Sequence, residues 1–220
     1  MTIWFASGNM DKKKELAAIL KGQVGAAHNL LIPADAGLDF DPEETGATFY
    51  ENALLKAREL YSLLEQRRPP LYQSGDPIIA DDSGLCVDAL DGRPGIYSAR
   101  YAGPPDKYVN NINKKLESHE RNALLLGEIG DNPLRTARFV CAMALFFSPD
   151  RFFVAQETFE GEIVKSPQAA RGTGGFGYDP ILYIPGLGRT VAELSEDEKN
   201  TISHRAKAAK IIAATLEACR

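Results

Sequence analysis

The sequence of 220 residues is poor in several features that mark whole classes of protein. Its three cysteines, Cys86, Cys141 and Cys219, show none of the paired spacings of a zinc site or a disulfide framework, which favours a reducing cytoplasm. The longest strongly apolar run, residues 139 to 147, is too short to span a membrane, and no leader pattern opens the chain. The formal net charge of −5 argues against a nucleic-acid partner. We therefore expect a cytoplasmic protein with neither membrane nor nucleic acid as partner.

The length and hydrophobic content of the chain are sufficient for one domain with a well-buried core over residues 1–220. The hydrophobic fraction is 44%, and a chain of this length needs no disulfide or metal in order to fold. The Walker A pattern of P-loop NTPases is absent from the sequence. Any phosphate that the protein handles must therefore be met by a few local cations.

The most informative stretch follows a short apolar segment, Ile78–Ala80, which predicts a strand. The strand is predicted to end at Asp81-Asp82-Ser83-Gly84, which would put acidic oxygens at the carboxyl edge of a sheet, where open α/β folds bind ligands. The same four residues are also typical of an ordinary turn, so that interpretation stays open. Residues 92–100 contain two Gly, a Pro and two Arg, which predicts an irregular segment. Such a structured loop indicates a function.

Two further segments carry candidate phosphate chemistry. A strand over residues 1–6, the break Ser7-Gly8-Asn9 and a helix from Asp11 would expose helix N-terminal N–H groups beside Lys12. An ordinary Ser/Asn cap and a solvated lysine run explain that segment equally. A second helix is predicted over 49–66, where Asn52 and Lys56 share one face. If that face is directed toward Asp82, it forms one wall of a binding site. The acidic residues that precede the helix are either metal ligands or helix caps.

The C-terminal half adds a glycine-rich loop and a final helix. In residues 171–180 four glycines permit close backbone approach to a ligand, and Phe176 offers a face for a flat base, although a flexible turn with a buried aromatic plug is the alternative. Ser203-His204-Arg205 opens the last helix, and as isolated features these residues read as an N-cap and an exposed helix start.

Six segments occur together in the order found in the inosine triphosphate pyrophosphatase (Ham1) family, which the chain resembles over its whole length. These segments are Ser7–Lys12, Glu44–Ala53, Ala80–Leu85, Pro94–Tyr101, Gly174–Pro180 and Ser203–Arg205. Ser7 stands where many members have Thr, and the loops at 67–77 and 104–134 are longer than in compact bacterial members.

The resemblance implies an elongated α/β fold, with a mixed sheet flanked by helices and two lobes with an active-site cleft between them. It implies a homodimer that hydrolyses ITP, dITP, XTP and dXTP to the monophosphate and pyrophosphate with Mg²⁺, cleansing the nucleotide pool. By position, Glu44 and Asp82 resemble the Mg²⁺ ligands, and Asp82 also the general base.

The remaining positions of the motifs resemble the family's nucleotide contacts. The implied triphosphate contacts are Ser7, Gly8, Asn9, Lys12, Lys56, Ser83 and Lys199. The implied base pocket is Phe176, Gly177, Tyr178, Asp179, His204 and Arg205. Hypoxanthine and xanthine present a 6-oxo acceptor and an N1–H donor, so we expect Arg205 to donate and Asp179 to accept. Adenine reverses both groups, which predicts its rejection.

Two other functions stay open at this stage. A Maf-type pyrophosphatase would act on pyrimidine or modified triphosphates, but Lys199, Ser203–Arg205 and the 175–179 loop resemble a purine pocket instead. The second is a nucleotide-binding regulator that has lost hydrolysis, and the presence of Glu44, Asp82 and Lys12 argues against it. Pyrophosphate release distinguishes this regulator from an enzyme.

Overall fold

The computed structural model describes residues 1–23, 28–103 and 116–219. Within these residues seven strands form one mixed sheet in the order β2-β1-β3-β4-β5-β6-β7. The strands are β1 (Thr2–Phe5), β2 (Asn29–Leu31), β3 (Ile78–Val87), β4 (Thr136–Ser148), β5 (Arg151–Ile163), β6 (Leu182–Ile184) and β7 (Arg189–Thr190). Strand β1 pairs in parallel with β2 and β3, whereas β6 is antiparallel to β5 and β7. The predicted α/β class with a mixed sheet is confirmed.

The helices account for the parallel part of the sheet, because parallel neighbours need crossover connections. The described helices are α1 (Met10–Gln23), α2 (Phe49–Arg67), α3 (Ser118–Ile129), α4 (Glu196–Ile202) and α5 (His204–Ala218). Helix α1 connects β1 to β2, and α2 lies between β2 and β3. None of the helices in the described ranges is long and apolar enough to cross a membrane.

The chain divides into two compact units. The first unit contains residues 1–82, 141–157 and 200–220, and the second contains 83–140 and 158–199. The single domain over 1–220 and the cleft between lobes stay predictions. Within the 104–134 segment the structure contains helix α3, and residues 104–115 lie outside the described part of the chain.

The core of the first unit is built from β1, α1 and α5. Ile3 and Phe5 of β1 are fully buried, as is Leu16 of α1. Helix α5 contributes small residues to the same core, among them Ala209 and Ala213, so α1 and α5 can pack closely. This core fixes the sheet face on which α1 and α5 meet the strands.

The structure corrects the predicted end of the central strand. Residues 81–84 are neither a turn nor the strand's terminus, because β3 continues through them to Val87. In the second unit a Cβ on Gly84 would lie 2.4 Å from the Gly95 carbonyl oxygen and 2.4 Å from Ser98 Oγ. Leu85 N–H donates to the same Ser98 hydroxyl over 2.8 Å. Glycine is therefore needed here so that residues 95–100 can approach the strand, not in order to turn the chain.

Candidate active site

Strand geometry sends the two adjacent carboxylates of β3 in opposite directions, since successive side chains in a strand point to opposite faces. Asp81 contacts side chains of α1 and α5, and Asp82 contacts side chains of α2. Both carboxylates are buried. Each face of the strand therefore needs its own set of cations or donors, because an unpaired buried charge is very costly.

Lys56 joins two carboxylates on the Asp82 face. Its ammonium lies 2.8 Å from Glu44 Oε1 and 3.1 Å from Asp82 Oδ1. Asn52, one turn earlier on α2, donates from Nδ2 to Asp82 Oδ2 over 3.3 Å. The face that Asn52 and Lys56 share is therefore directed toward Asp82, which was the condition for a site wall. Glu44 contacts Lys56 rather than capping the helix, and Thr48 is the cap, since its side chain accepts from Glu51 N–H.

The loop before α2 is held against the helix by its glycine. Gly46 N–H donates to Asn52 Oδ1 over 2.8 Å, and a Cβ at Gly46 would lie 2.6 Å from that oxygen. Asn52 thus uses its amide oxygen for the loop and its NH₂ group for Asp82. This arrangement ties the position of Glu44, two residues before Gly46, to that of the strand carboxylate.

The pKa values in this group favour proton acceptance by Asp82. Burial raises the pKa of the Asp82 carboxyl, and Glu44 adds to the rise, while Lys56 and Lys12 oppose it without cancelling it. Burial acts to lower the pKa of Lys56, but Asp82, Asp81 and Glu44 outweigh burial and raise it. Lys56 therefore stays a cation, and Asp82 is a stronger base than an ordinary aspartate.

Glu44 and Asp82 are the residues that could hold a metal ion. Within the described ranges no cluster of three or more His, Cys, Asp or Glu residues is placed to hold one. Mg²⁺ commonly takes only one or two protein carboxylates and completes its shell with water and substrate phosphate oxygens. Two carboxylates bonded to the same ammonium fit that requirement.

The Asp81 face carries a chain of alternating charges. Asp81 Oδ1 lies 3.1 Å from Lys12 Nζ, and its Oδ2 accepts from Arg205 Nη2 over 3.0 Å and from Arg205 Nε over 3.2 Å. Arg205 Nη1 in turn donates to Glu15 of α1. His204 and Arg205 are both buried, so the expectation of an exposed helix start is wrong. Ser203 is the N-cap of α5, since its hydroxyl accepts from Ala206 N–H.

Acid is expected to destabilise the fold through Asp81. Burial acts to raise the pKa of this carboxyl, but Lys12 and Arg205 outweigh burial and hold the pKa well below the ordinary 3.8. A carboxyl with a depressed folded-state pKa contributes stability that is fully present above the unfolded-state value and is lost as pH falls below it. The unfolding free energy should therefore fall steeply below about pH 4.

Denaturant titrations of wild type and Asp81→Asn at about pH 7, 4 and 3 test this linkage. The variant should be less stable at neutral pH and should lose less stability on acidification. Parallel losses in the two proteins would show that Asp81 does not carry the acid response.

The turn after β1 matches the ordinary cap. Asn9 Oδ1 accepts from the N–H groups of Asp11 and Lys12 at 2.9 and 3.1 Å, and Ser7 Oγ accepts from Asn9 N–H. A Cβ on Gly8 would meet no atom within 4 Å among the described residues. The phosphate contact predicted for this turn stays a prediction.

In the second unit, Asp179 organises the glycine-rich loop. Its Oδ2 accepts from Phe176 N–H and from Lys199 Nζ, both over 2.8 Å. The Lys199 ammonium also lies 4.8 Å from the centre of the Phe176 ring. A Cβ on Gly175 would lie 1.9 Å from Asp179 Oδ2. Only glycine therefore lets the loop fold tightly around this carboxylate.

Two further hydrogen bonds anchor the loop to its surroundings. The Tyr178 hydroxyl donates to the Ser98 carbonyl over 2.9 Å, and Asn122 Nδ2 of α3 donates to the Gly177 carbonyl over 3.1 Å. Sequence reasoning did not single out Asn122. The available sequence signal was its spacing of three, four and seven residues from the apolar residues of the same helix face.

The predicted site residues thus fall into two groups, each within one unit. The first unit holds the following members: Ser7, Gly8, Asn9, Lys12, Glu44, Lys56, Asp82, His204 and Arg205. The second unit holds the remaining members: Ser83, Phe176, Gly177, Tyr178, Asp179 and Lys199. Lys199, predicted to contact the triphosphate, pairs with Asp179, and Arg205, predicted to contact the base, pairs with Asp81 and Glu15. Their nucleotide contacts stay predictions.

Comparison with known proteins gives consistent matches along the chain. The model of the Ham1 family matches residues 3–215. A dITP/XTP pyrophosphatase of Treponema denticola is 43% identical over 211 residues, which cover 94% of each chain. One of Geobacillus kaustophilus is 44% identical over 208 residues, which cover 94% of this chain and 89% of the relative. The solved Staphylococcus aureus Ham1 protein superposes with a TM-score of 0.79 at 36% identity, covering 100% of both chains.

Proposed function

Because the chain belongs to the Ham1 family, we propose that it hydrolyses dITP, XTP and related non-canonical purine nucleoside triphosphates to the monophosphate and pyrophosphate. Such an enzyme removes deaminated purines from the nucleotide pool. The observation that carries the proposal is the partly buried group in which Lys56 bonds both Glu44 and Asp82. An acid pair around one lysine offers both a base and a cation, which α-phosphate hydrolysis requires.

Asp82 is the proposed general base. Its carboxylate accepts a proton from a water molecule, and the water oxygen forms a bond to the α-phosphorus. The bond between that phosphorus and the bridging oxygen then breaks, and pyrophosphate leaves with the bonding electrons. Asn52 and Lys56 hold the two oxygens of Asp82, which fixes the direction in which it can accept the proton.

Mg²⁺ is the proposed cofactor, held by Glu44 and Asp82 together with phosphate oxygens. When bound, it neutralises part of the phosphate charge and favours departure of pyrophosphate. Lys56 adds a fixed positive charge beside these carboxylates, and Lys12 adds a second on the other face of β3. A triphosphate brings about four negative charges, so several cations are needed to offset them.

The 174–179 loop is proposed to recognise the purine base. Phe176 offers a stacking face, and the paired Asp179 and Lys199 offer an acceptor and a donor, which a 6-oxopurine with its N1–H can use. Adenine presents the opposite polarity at both positions, so it cannot form hydrogen bonds with either group.

Replacing Asp179 by Ala should lower the preference for dITP over dATP by at least about tenfold, because the loop loses both an acceptor and the anchor of Phe176. The kcat/KM values for the two nucleotides measure this preference. Asp150→Ala, at an exposed position in the turn between β4 and β5, is the control. A preference equal to that of the wild type would refute the assignment of Asp179.

The assembly and compartment are part of the proposal as well. We propose a cytoplasmic homodimer, supported by the family resemblance. The net charge of −5 separately disfavours a nucleic-acid partner. Analytical ultracentrifugation across a range of concentrations tests the dimer. A single monomeric species would contradict it.

The reaction itself is tested by product analysis in ¹⁸O-labelled water. Attack at the α-phosphorus puts the label in dIMP and leaves pyrophosphate unlabelled. Release of dIDP and orthophosphate, or label in pyrophosphate, would exclude the proposed cleavage.

A further inference from the structure

Asn122 occupies a position in α3 where an apolar residue is expected. The buried residues of this helix are Asn122, Leu125, Leu126 and Ile129. This spacing of three, four and seven residues defines one apolar face of a helix. Asn122 is only 8% exposed. A leucine there would complete the face and contribute more to packing, so the polar side chain needs another explanation.

The amide of Asn122 is only half satisfied by the protein. Its Nδ2 donates to the Gly177 carbonyl over 3.1 Å, which also fixes which amide atom is the nitrogen. Its Oδ1 is buried and accepts no hydrogen bond from the residues that the structure describes. A buried acceptor without a donor is unfavourable. A residue kept only for packing would not carry this cost, so the bond to Gly177 is the feature that distinguishes Asn122.

Gly177 is the least constrained point of the loop that contains Phe176. It has a φ of 65°, in the left-handed region, and a Cβ there would meet no atom within 4 Å among the described residues. Side-chain packing therefore does not hold this residue. Its two neighbours are held by other bonds. The Tyr178 hydroxyl donates to the Ser98 carbonyl, and the Phe176 N–H donates to the Asp179 carboxylate. The bond from Asn122 to the Gly177 carbonyl fixes the plane of the peptide between Gly177 and Tyr178.

We propose that Asn122 is a positioning residue for base selection, which acts through Gly177 to set the orientation of the Phe176 ring. The proposal rests on the base-reading role of the 174–179 loop. Loss of the bond frees the glycine peptide to rotate, so the stacking face is no longer preorganised. Binding of a purine that uses this face weakens, whereas the phosphate chemistry, carried by other residues, continues.

The decisive variant is Asn122→Leu, which restores the apolar face of α3 and removes the bond. Its melting temperature should equal or exceed that of the wild type. Its KM for dITP and XTP should rise about tenfold, which corresponds to the usual contribution of one hydrogen bond. Its kcat should stay within about twofold of the wild-type value. The preference for dITP over dATP should fall by a similar factor. Asn122→Asp, of the same shape, should show the same rise, because its carboxylate repels the Gly177 carbonyl.

Leu124→Ala is the control, since Leu124 lies on the same helix and is exposed. It should leave KM and substrate preference unchanged. Wild-type KM values and preference in both Asn122 variants would overturn the proposal. So would a fall in kcat for all nucleotides in parallel with a lower melting temperature, which indicates a purely structural role. A wild-type enzyme that is inactive on dITP would overturn the proposed function, and this inference with it.

Discussion

Replacing Asp82 by Asn is expected to lower kcat by about 10²- to 10⁴-fold, the usual contribution of a positioned general base. The amide cannot take up the proton of the attacking water. It also disturbs the local bonds, because Asp82 accepts from both Asn52 and Lys56, and an amide has only one acceptor oxygen. Nucleotide binding should fall far less than kcat, since Lys56 and Glu44 remain. Single-turnover hydrolysis of dITP and equilibrium binding of a non-hydrolysable analogue measure the two effects separately.

Asp88→Asn is the matched control for this variant. Asp88 follows β3 directly, but its carboxylate bonds Thr136 and Arg138 in the second unit. The same chemical change should therefore leave kcat within about twofold. Near-normal turnover by Asp82→Asn would exclude Asp82 as the base.

Replacing Arg205 by Ala is expected to lower the unfolding free energy by about 3–5 kcal/mol, because it leaves Asp81 and Glu15 without their shared partner. Arg205 is 2% exposed, so water cannot replace its hydrogen bonds to Asp81 without a rearrangement of the core. For a chain of this size the melting temperature should fall by roughly 10 °C. Chemical denaturation and calorimetry at neutral pH provide the measurement.

A surface pair supplies the comparison for that loss. Arg189 forms a salt bridge with Glu198, with the two side chains 38% and 44% exposed. Its replacement by Ala should cost less than about 1 kcal/mol, because solvent screens exposed pairs. Equal losses in the two variants would mean that the buried charge chain contributes nothing special to the fold.

Local patterns in the sequence were enough to predict helices α1, α2 and α5 and the cap at Ser203. Ser203 caps α5, and the face shared by Asn52 and Lys56 is directed toward Asp82. The cap of α2 is Thr48 and not one of the acids before it. Hydrophobic periodicity and capping depend on neighbours within a few residues, so they can be read without knowledge of the fold.

The partners of the buried charges could not be predicted in the same way. Arg205 pairs with residues 124 and 190 positions away, and Lys12 pairs with Asp81 from 69 positions away. The sequence pattern of Asp81 to Gly84 is typical of a turn, but the strand continues through both acids. Lys12 and Arg205 neutralise Asp81, and Lys56 neutralises Asp82. Burial of Arg205 and the pairing of Lys199 with Asp179 were missed for the same reason.

The most direct test of the proposed activity is pyrophosphate release from dITP, XTP, GTP and ATP, measured side by side with Mg²⁺ and with EDTA. The proposed function predicts fast release from dITP and XTP, loss of that release in EDTA, and nearly inert GTP and ATP. Equal rates on all four nucleotides would contradict base selection by the 174–179 loop. Absence of release from any of them would contradict the activity itself.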